Sequence, residues 1–549
     1  MRVLSYPNKL PTPDNYHQRA PEVEQRLRRL FVECGNGLLG DVDEITKVAA
    51  IARAFVHAAE ITTTADLRSL MSNFRNSKIP DGSFDFASYV NYVNDQVIPH
   101  SIHSPSPRFI GHMTSALPRF VSSLEMLTTA MNQNLVKVET SKVMTLYERQ
   151  ALAMIHRLVY EFSDDFYAEH IQQSDSTLGI MVSGGTLANI TALWCARNSS
   201  LGRQNGFAGI EKEGLPAALN FYGYNEEVII GSELMHYSFK KAADLLGIGV
   251  NNLIGVPVDH KNRIDLRALL QTVRKCRAQK QHIIAIVGVA GTTDCGSIDP
   301  LPEIAEIARE AKCHFHVDAA WGGPLLFSDQ YRNKLAGIEL ADSVTIDGHK
   351  QLYLPMGMGM LVLRNPQSAK DIEKSAYYII RANSFDQGKR GIEGSRPNTS
   401  LLYHAALSVI GRRGYEFLID EGIRKAQYMA NAIRALAQFE LLVEPEINIL
   451  NYRFVPAPLR HRVDSDQLDG SEHSLINDFN KRLQKVQRKT GQSFVSRTTL
   501  NLSRHGVERP FTSLRAVLAN PLTTESDIDA VLNEQLAIAA QLPLHAGKH

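Results

Sequence analysis

Between residues 178 and 363 of this chain, short apolar runs alternate with stretches whose apolar residues recur every three or four positions. The pattern predicts strands over 179–182, 227–231, 282–289, 314–318, 343–347 and 359–363, and helices over 187–197, 238–246 and 302–311. Strands that are apolar throughout, separated by helices, indicate an α/β fold with a mostly parallel sheet covered on both faces. Upstream the pattern is helical only, over 22–34, 43–60, 84–98, 120–132 and 142–162. The helix over 43–60 carries Val48, Ile51, Ala52, Phe55 and Val56 on one face, to be buried either on another subunit or on its own domain. After Arg396 the pattern turns to α+β. Helices are expected over 401–412, 422–438, 474–490 and 525–540, strands over 441–444, 448–454, 494–502 and 514–518, and a surface loop over 456–472. Three parts follow: a helical arm with a dimerisation role (1–106), a large α/β domain (107–395) and a smaller α+β domain (396–549).

Composition narrows the function classes. A chain of 549 residues exceeds one core. With 59 basic and 58 acidic side chains the net charge is +1, which argues against a nucleic-acid-binding surface. Five scattered cysteines without a CxxC pair indicate a reduced protein without structural zinc. The N-terminal stretch lacks the apolar run of a secretory signal and no window is long enough to span a membrane, so the expected compartment is the cytoplasm.

The chemistry gathers at strand ends, where ligands of parallel sheets bind. Ser183-Gly184-Gly185-Thr186 joins a strand to a helix; it is either a plain turn or a phosphate cradle of glycine backbone, hydroxyls and helix N-terminus. Asp318 ends another strand, as a strand cap or as the anionic partner of a pyridinium nitrogen. Lys350 follows the strand over 343–347, where burial would favour the neutral amine that attacks an aldehyde. His236 is either a cap or a ring stacked on a planar cofactor. Thr292 and Thr293 lie in a turn at the same edge and are candidates for the cofactor's ring hydroxyl side. A lysine, an aspartate and a phosphate cradle at one edge are what pyridoxal 5′-phosphate needs.

The ordered set SGGT, HYS, GTTxxGxxDP, HVDAAWGG and DGHK resembles the group II pyridoxal-phosphate-dependent amino-acid decarboxylases, a family that includes glutamate, aromatic amino-acid and diaminobutyrate decarboxylases. Residues 107–112, Asn132-Gln133-Asn134 and the C-terminal run 515–523 extend the likeness over about residues 105–535. The resemblance implies an aspartate-aminotransferase-like fold, a homodimer with interfacial active sites, and carbon dioxide release from an acidic L-amino acid, with aspartate ahead of glutamate or 2,4-diaminobutyrate. It makes Lys350 the cofactor's attachment point, Asp318 its pyridinium partner and His236 its stacking ring. Ser183, Gly184, Gly185 and Thr186 would hold phosphate, and Thr292, Ala320, Asp347 and His349 complete the cofactor set. Arg396, His112 and Gln133 would face the substrate, Arg396 at its carboxylate, or else Arg396 is a surface or interface arginine. Arg108, Lys137 and Arg381 are further cations near these segments, none assigned.

Two features depart from the family. Gln351 stands where many relatives have tryptophan, and the stretch over 375–395 is short, with Tyr377 and Tyr378 only at its start. That puts in doubt a tyrosine as the acid that protonates the substrate carbon; His236 or a water would serve instead. An aminotransferase, a carbon–carbon lyase or a non-catalytic regulator on the same fold are the competing readings. Retention of both Lys350 and Asp318 argues against the last, since each is costly to bury without a partner.

Overall fold

The computed structural model describes residues 42–80, 82, 85–376, 384–504 and 507–545. The helix expected over 22–34 lies outside them, as do Tyr377, Tyr378 and Arg381. The chain divides into two compact units, residues 1–106 with 489–492, and residues 107–488 with 493–549.

In the first unit the helices Val42–Val56 and Phe86–Gln96 form where the apolar spacing predicts them. Asp85 caps the second, accepting from Ser88 N–H. The Ile61 N–H donates to the Gly491 carbonyl at 2.7 Å, which ties residues 489–492 to this unit. Val48 and Val56 remain exposed, so the described residues do not cover the apolar face of the first helix.

The second unit holds two sheets. The larger comprises β1 (Gly179–Val182), β2 (Glu226–Ser232), β3 (Leu253–Val256), β4 (Gln281–Val289), β5 (His314–Asp318), β6 (Ser343–Asp347) and β7 (Gly359–Leu363). Its order is β1-β7-β6-β5-β4-β2-β3, and only β7 runs against its neighbours. β4, β5, β6 and β7 are buried almost throughout because helices lie on both faces. The smaller sheet, in the order β10-β11-β9-β8, is antiparallel: β8 (Phe439–Val443), β9 (Ile449–Phe454), β10 (Ser496–Arg504) and β11 (Val507–Val517). The helices Gly411–Ala435, Gly470–Thr490 and Glu525–Gln541 accompany it, the last opened by a Thr524–Asp527 capping box.

Elements outside the predicted set include the short helices Leu67–Met71 and Asp164–His170, β3, and two longer helices, Ile210–Tyr222 and Leu266–Ala278. β3 is four residues long and only its last is buried. Pro216 and a kink at Gly214 interrupt the period of the first longer helix. The second is amphipathic and capped by Asp265, a signal present in the sequence. The loop expected over 456–472 contains the short helices Ala457–Leu459 and Arg460–Asp464.

Candidate active site

A cleft of about 410 Å³ opens at the carboxyl ends of β1, β4, β5 and β6. The parallel order of these strands brings Ser183, Gly184, Gly185, Thr186, His236, Asp318, Ala320, Asp347, His349 and Lys350 into one lining, and His112 joins from the loop over 107–112. Thr292 does not line it. Its hydroxyl is buried against Ser297 Oγ at 2.9 Å, and the neighbours Gly291 and Thr293 face the cleft instead.

Gly184 begins the cradle at φ +139°, a backbone conformation that side chains resist, and its carbonyl accepts the Leu187 and Ala188 N–H groups that start the helix Gly185–Ser200. β7 passes so close behind that a Cβ on Gly359 would lie 2.6 Å from the Gly184 backbone. The Ser183 N–H donates to Glu393 Oε2 at 3.1 Å.

Lys350 Nζ lies 2.9 Å from Asp347 Oδ2. His349 donates Nδ1–H to the Met358 carbonyl at 2.9 Å, leaving Nε2 3.8 Å from the same carboxylate. Gln351 is fully buried, and its amide donates to the Trp321 carbonyl and accepts from Asn448, both at 2.7 Å, while Trp321 Nε1 donates to Asn448 Oδ1 at 3.0 Å. This closed triangle occupies the position where tryptophan was expected and anchors the chain directly after Lys350.

Asp318 receives one N–H on each oxygen, from Asn189 Nδ2 at 3.0 Å and from Ala320 at 3.2 Å. His236 Nδ1 lies 2.9 Å from Ser238 Oγ. Burial holds the His236 pKa below its ordinary value, with the Asp318 charge acting the other way. The His112 pKa is lowered by burial first and then by the Arg515, Lys350 and His349 charges.

The substrate-side expectations separate. Arg396 does not line the cleft: both ends of its guanidinium are taken by the fully buried Glu148, at 2.6 Å for Nη1. Gln133 donates to the Met131 carbonyl and is also absent from the lining. Arg108 pairs with Asp527 at 3.3 Å and Lys137 with Glu139 at 2.7 Å. The cation that does reach the cleft is Arg515, on β11. Its Nε donates to Ser496 Oγ at 2.9 Å, Nη1 to the Thr293 carbonyl at 2.5 Å and Nη2 to the Gly111 carbonyl at 3.3 Å. All three acceptors are neutral. They use three of five N–H donors and leave one on each Nη. Burial pulls its pKa down, with Asp294 acting through space in the other direction. The sequence signal for Arg515 was available: an arginine inside the apolar run Phe511–Leu518, noted only as part of a signature.

The profile of the pyridoxal-dependent decarboxylase conserved domain matches residues 70–455. The chain belongs to this family. It is 44% identical to an aspartate 1-decarboxylase of Aliivibrio fischeri over 94% of each chain. It is 28% identical to an L-2,4-diaminobutyrate decarboxylase of Acinetobacter baumannii over 66% of this chain and 69% of that one. Among solved structures, mouse CSAD superposes with a TM-score of 0.78 at 24% identity, covering 95% of this chain and 100% of that one, which bears out the expected fold. The protein is therefore a pyridoxal-phosphate-dependent amino-acid decarboxylase. The cleft fits that cofactor: a glycine-lined helix N-terminus, an amine and a doubly hydrogen-bonded carboxylate converge on it.

Proposed function

We propose that this chain converts L-aspartate to β-alanine and carbon dioxide, and that the expected cofactor residues other than Thr292 act in the roles assigned from the sequence. The observation that carries the acidic substrate is Arg515, a buried cation with two N–H groups left over at the cleft. A fork of this kind suits a carboxylate bidentately. It opposes 2,4-diaminobutyrate, whose distal ammonium would meet Arg515. The similarity to the Aliivibrio enzyme supports aspartate in particular.

In this reading Lys350 holds the cofactor covalently and later returns the amine product. Asp318 keeps a proton on the ring nitrogen, and His236 covers one ring face. Pyridoxal phosphate, when bound, supplies a protonated ring that accepts the electrons of the breaking Cα–carboxylate bond. Positioning decides which bond breaks. Arg515 contributes by holding the distal carboxylate, so that the α-carboxylate is the group left to depart. Arg396 then serves the scaffold through Glu148.

The same reading includes a cytoplasmic homodimer. Met126, Leu127, Val143, Leu146, Met154 and Val409 are exposed on the helices Arg119–Met131, Val143–Tyr160 and Ser400–Val409, which pack together, and a second copy would cover them.

The test is product analysis of cofactor-loaded protein given aspartate, glutamate, diaminobutyrate and tyrosine separately, with amine and carbon dioxide both quantified. β-Alanine with matching carbon dioxide supports the proposal. γ-Aminobutyrate moves the substrate by one methylene, and keto acid without carbon dioxide overturns the reaction.

A further inference from the structure

From the cleft wall, where Asn189, Asp318 and His236 all stand, a chain of hydrogen bonds runs into the core. Asn189 Nδ2 reaches two acceptors at 3.0 Å each, Asp318 Oδ2 and Ser238 Oγ, and Ser238 Oγ in turn meets His236 Nδ1 at 2.9 Å. On its other side Asn189 Oδ1 is 3.0 Å from His316 Nε2. His316 Nδ1 is 2.8 Å from Ser343 Oγ, which is 2.7 Å from His314 Nε2, and His314 Nδ1 lies 3.9 Å from the half-exposed Asp342. Asn189, Ser238, His316 and Ser343 are all buried.

Burial pushes the His316 pKa down to about 3, so its ring carries one N–H. A ring with one N–H admits two self-consistent directions for the chain. In the first, His314 Nε2–H donates to Ser343, whose hydroxyl donates to His316 Nδ1. His316 Nε2–H then donates to Asn189 Oδ1, and both Asn189 N–H groups point at Asp318 and Ser238. Ser238, having accepted, gives its own proton to His236 Nδ1. In the second, every bond reverses and the amide turns over. That places Asn189 Oδ1 against Asp318 Oδ2, acceptor against acceptor. The Ser238 N–H favours the first direction, because it donates to His236 Nδ1 at 3.3 Å and so makes that nitrogen an acceptor. Thr345 Oγ1, at 3.5 Å from His316 Nε2, is a longer contact and does not compete with Asn189.

We propose that Asn189 is a positioning residue that sets two properties of the site together, aiming an N–H at the Asp318 carboxylate and holding His236 in its Nε2–H tautomer. It acts through those two side chains. The inference rests on the reading above that Asp318 meets the cofactor ring nitrogen and His236 its face. One amide thereby couples the electron sink to the group that covers it, and the two histidines on β5 extend the coupling toward the surface.

Two measurements test this. The first needs no variant: ¹⁵N-histidine spectra of cofactor-free protein, with His236 and His316 assigned by loss of their signals in His236→Gln and His316→Gln. Both are expected as Nε2–H tautomers; an Nδ1–H signal from either ring overturns the proposal. The second compares 4-deoxypyridoxine 5′-phosphate, which cannot react with Lys350, with the analogue carrying carbon in place of the ring nitrogen. Wild type is expected to prefer the nitrogen ring, and Asn189→Ala to lower that preference at least tenfold. Failure of wild type to discriminate would sink the Asp318 assignment itself. Discrimination kept intact in Asn189→Ala, including equal weakening of both ligands, would sink the Asn189 inference alone.

Discussion

Arg515 offers the sharpest test of substrate choice. The perturbation is Arg515→Met, which removes the charge and keeps much of the volume. Arg515 is 9% exposed and its three protein acceptors are neutral, so the chain supplies it with no partner carboxylate at contact distance. A bound distal carboxylate would be the missing anion, in a desolvated two-point contact. Removing one partner of a buried, hydrogen-bonded charge pair costs about 2–5 kcal/mol. If that contact persists in the transition state, kcat/KM for aspartate falls roughly 30-fold to several thousand-fold. The variant also loses three bonds that tie β11 to β10, to the turn after β4 and to the loop over 107–112, so a lower Tm is expected and does not discriminate. The discriminating assay is the ratio of kcat/KM for aspartate to that for asparagine, which has the same shape without the charge. The ratio should collapse in Arg515→Met and recover in part in Arg515→Lys, which restores a point charge without the fork. Equal losses for the two substrates, or an unchanged aspartate value, would refute the reasoning.

Four further outcomes are expected. Lys350→Ala should abolish both turnover and the absorbance of covalently held cofactor, and retained turnover would remove Lys350 from its role. Gly359→Ala should weaken cofactor binding at least about tenfold, or about 1.4 kcal/mol, because its Cβ would sit 2.6 Å from the Gly184 backbone; equilibrium dialysis checks it. Arg396→Ala should cost stability and leave the aspartate-to-asparagine ratio intact, since it strands the buried Glu148; a KM effect confined to aspartate would return Arg396 to the substrate. Asp299 is fully buried and its pKa is pushed by burial from 3.8 up to about 7, against the pull of the Ile264 and Val289 N–H donors. Between those values the folded state binds a proton that the unfolded chain has released, so stability falls as pH rises from about 4 to about 7, by roughly 4 kcal/mol. Asp299→Asn turns one N–H donor toward another and is destabilising at pH 5, but its deficit against wild type should narrow by pH 8; a constant gap in urea denaturation across that range would refute the linkage.

How much of this was legible depended on which sheet carried the residue. Asp318 and Asp347 end β5 and β6, the Ser183–Thr186 turn follows β1 directly, and Lys350 follows β6 by three residues. Parallel strands present their carboxyl ends on one edge, so residues distant in sequence could be placed together without coordinates. Turns were read less well, because which of two adjacent threonines faces the ligand depends on a single backbone rotation, and the structure chose Thr293 over Thr292. No edge rule reaches the smaller sheet. Arg515 arrives at the cleft through the antiparallel pairing of β11 with β10, where Arg515 stands opposite Ser496, the hydroxyl that holds its Nε.

The two arginines show what a signature alone could not separate. Both have largely covered side chains, both stand in family-like runs, and each is a reasonable carboxylate ligand by residue type. A buried guanidinium needs an anion. For Arg396 the chain provides one, since Glu148 on the helix Val143–Tyr160 faces it with both oxygens. Arg515 is given only carbonyls and a hydroxyl, with a vacant N–H on each terminal nitrogen and a cleft in front of it. With Asp294 acting only through space, a bound substrate carboxylate would supply the contact partner. The distinction lies in who supplies the anion, a fact of three-dimensional pairing across 248 residues for Arg396 and across 222 for the Arg515–Thr293 contact, beyond the range of local pattern.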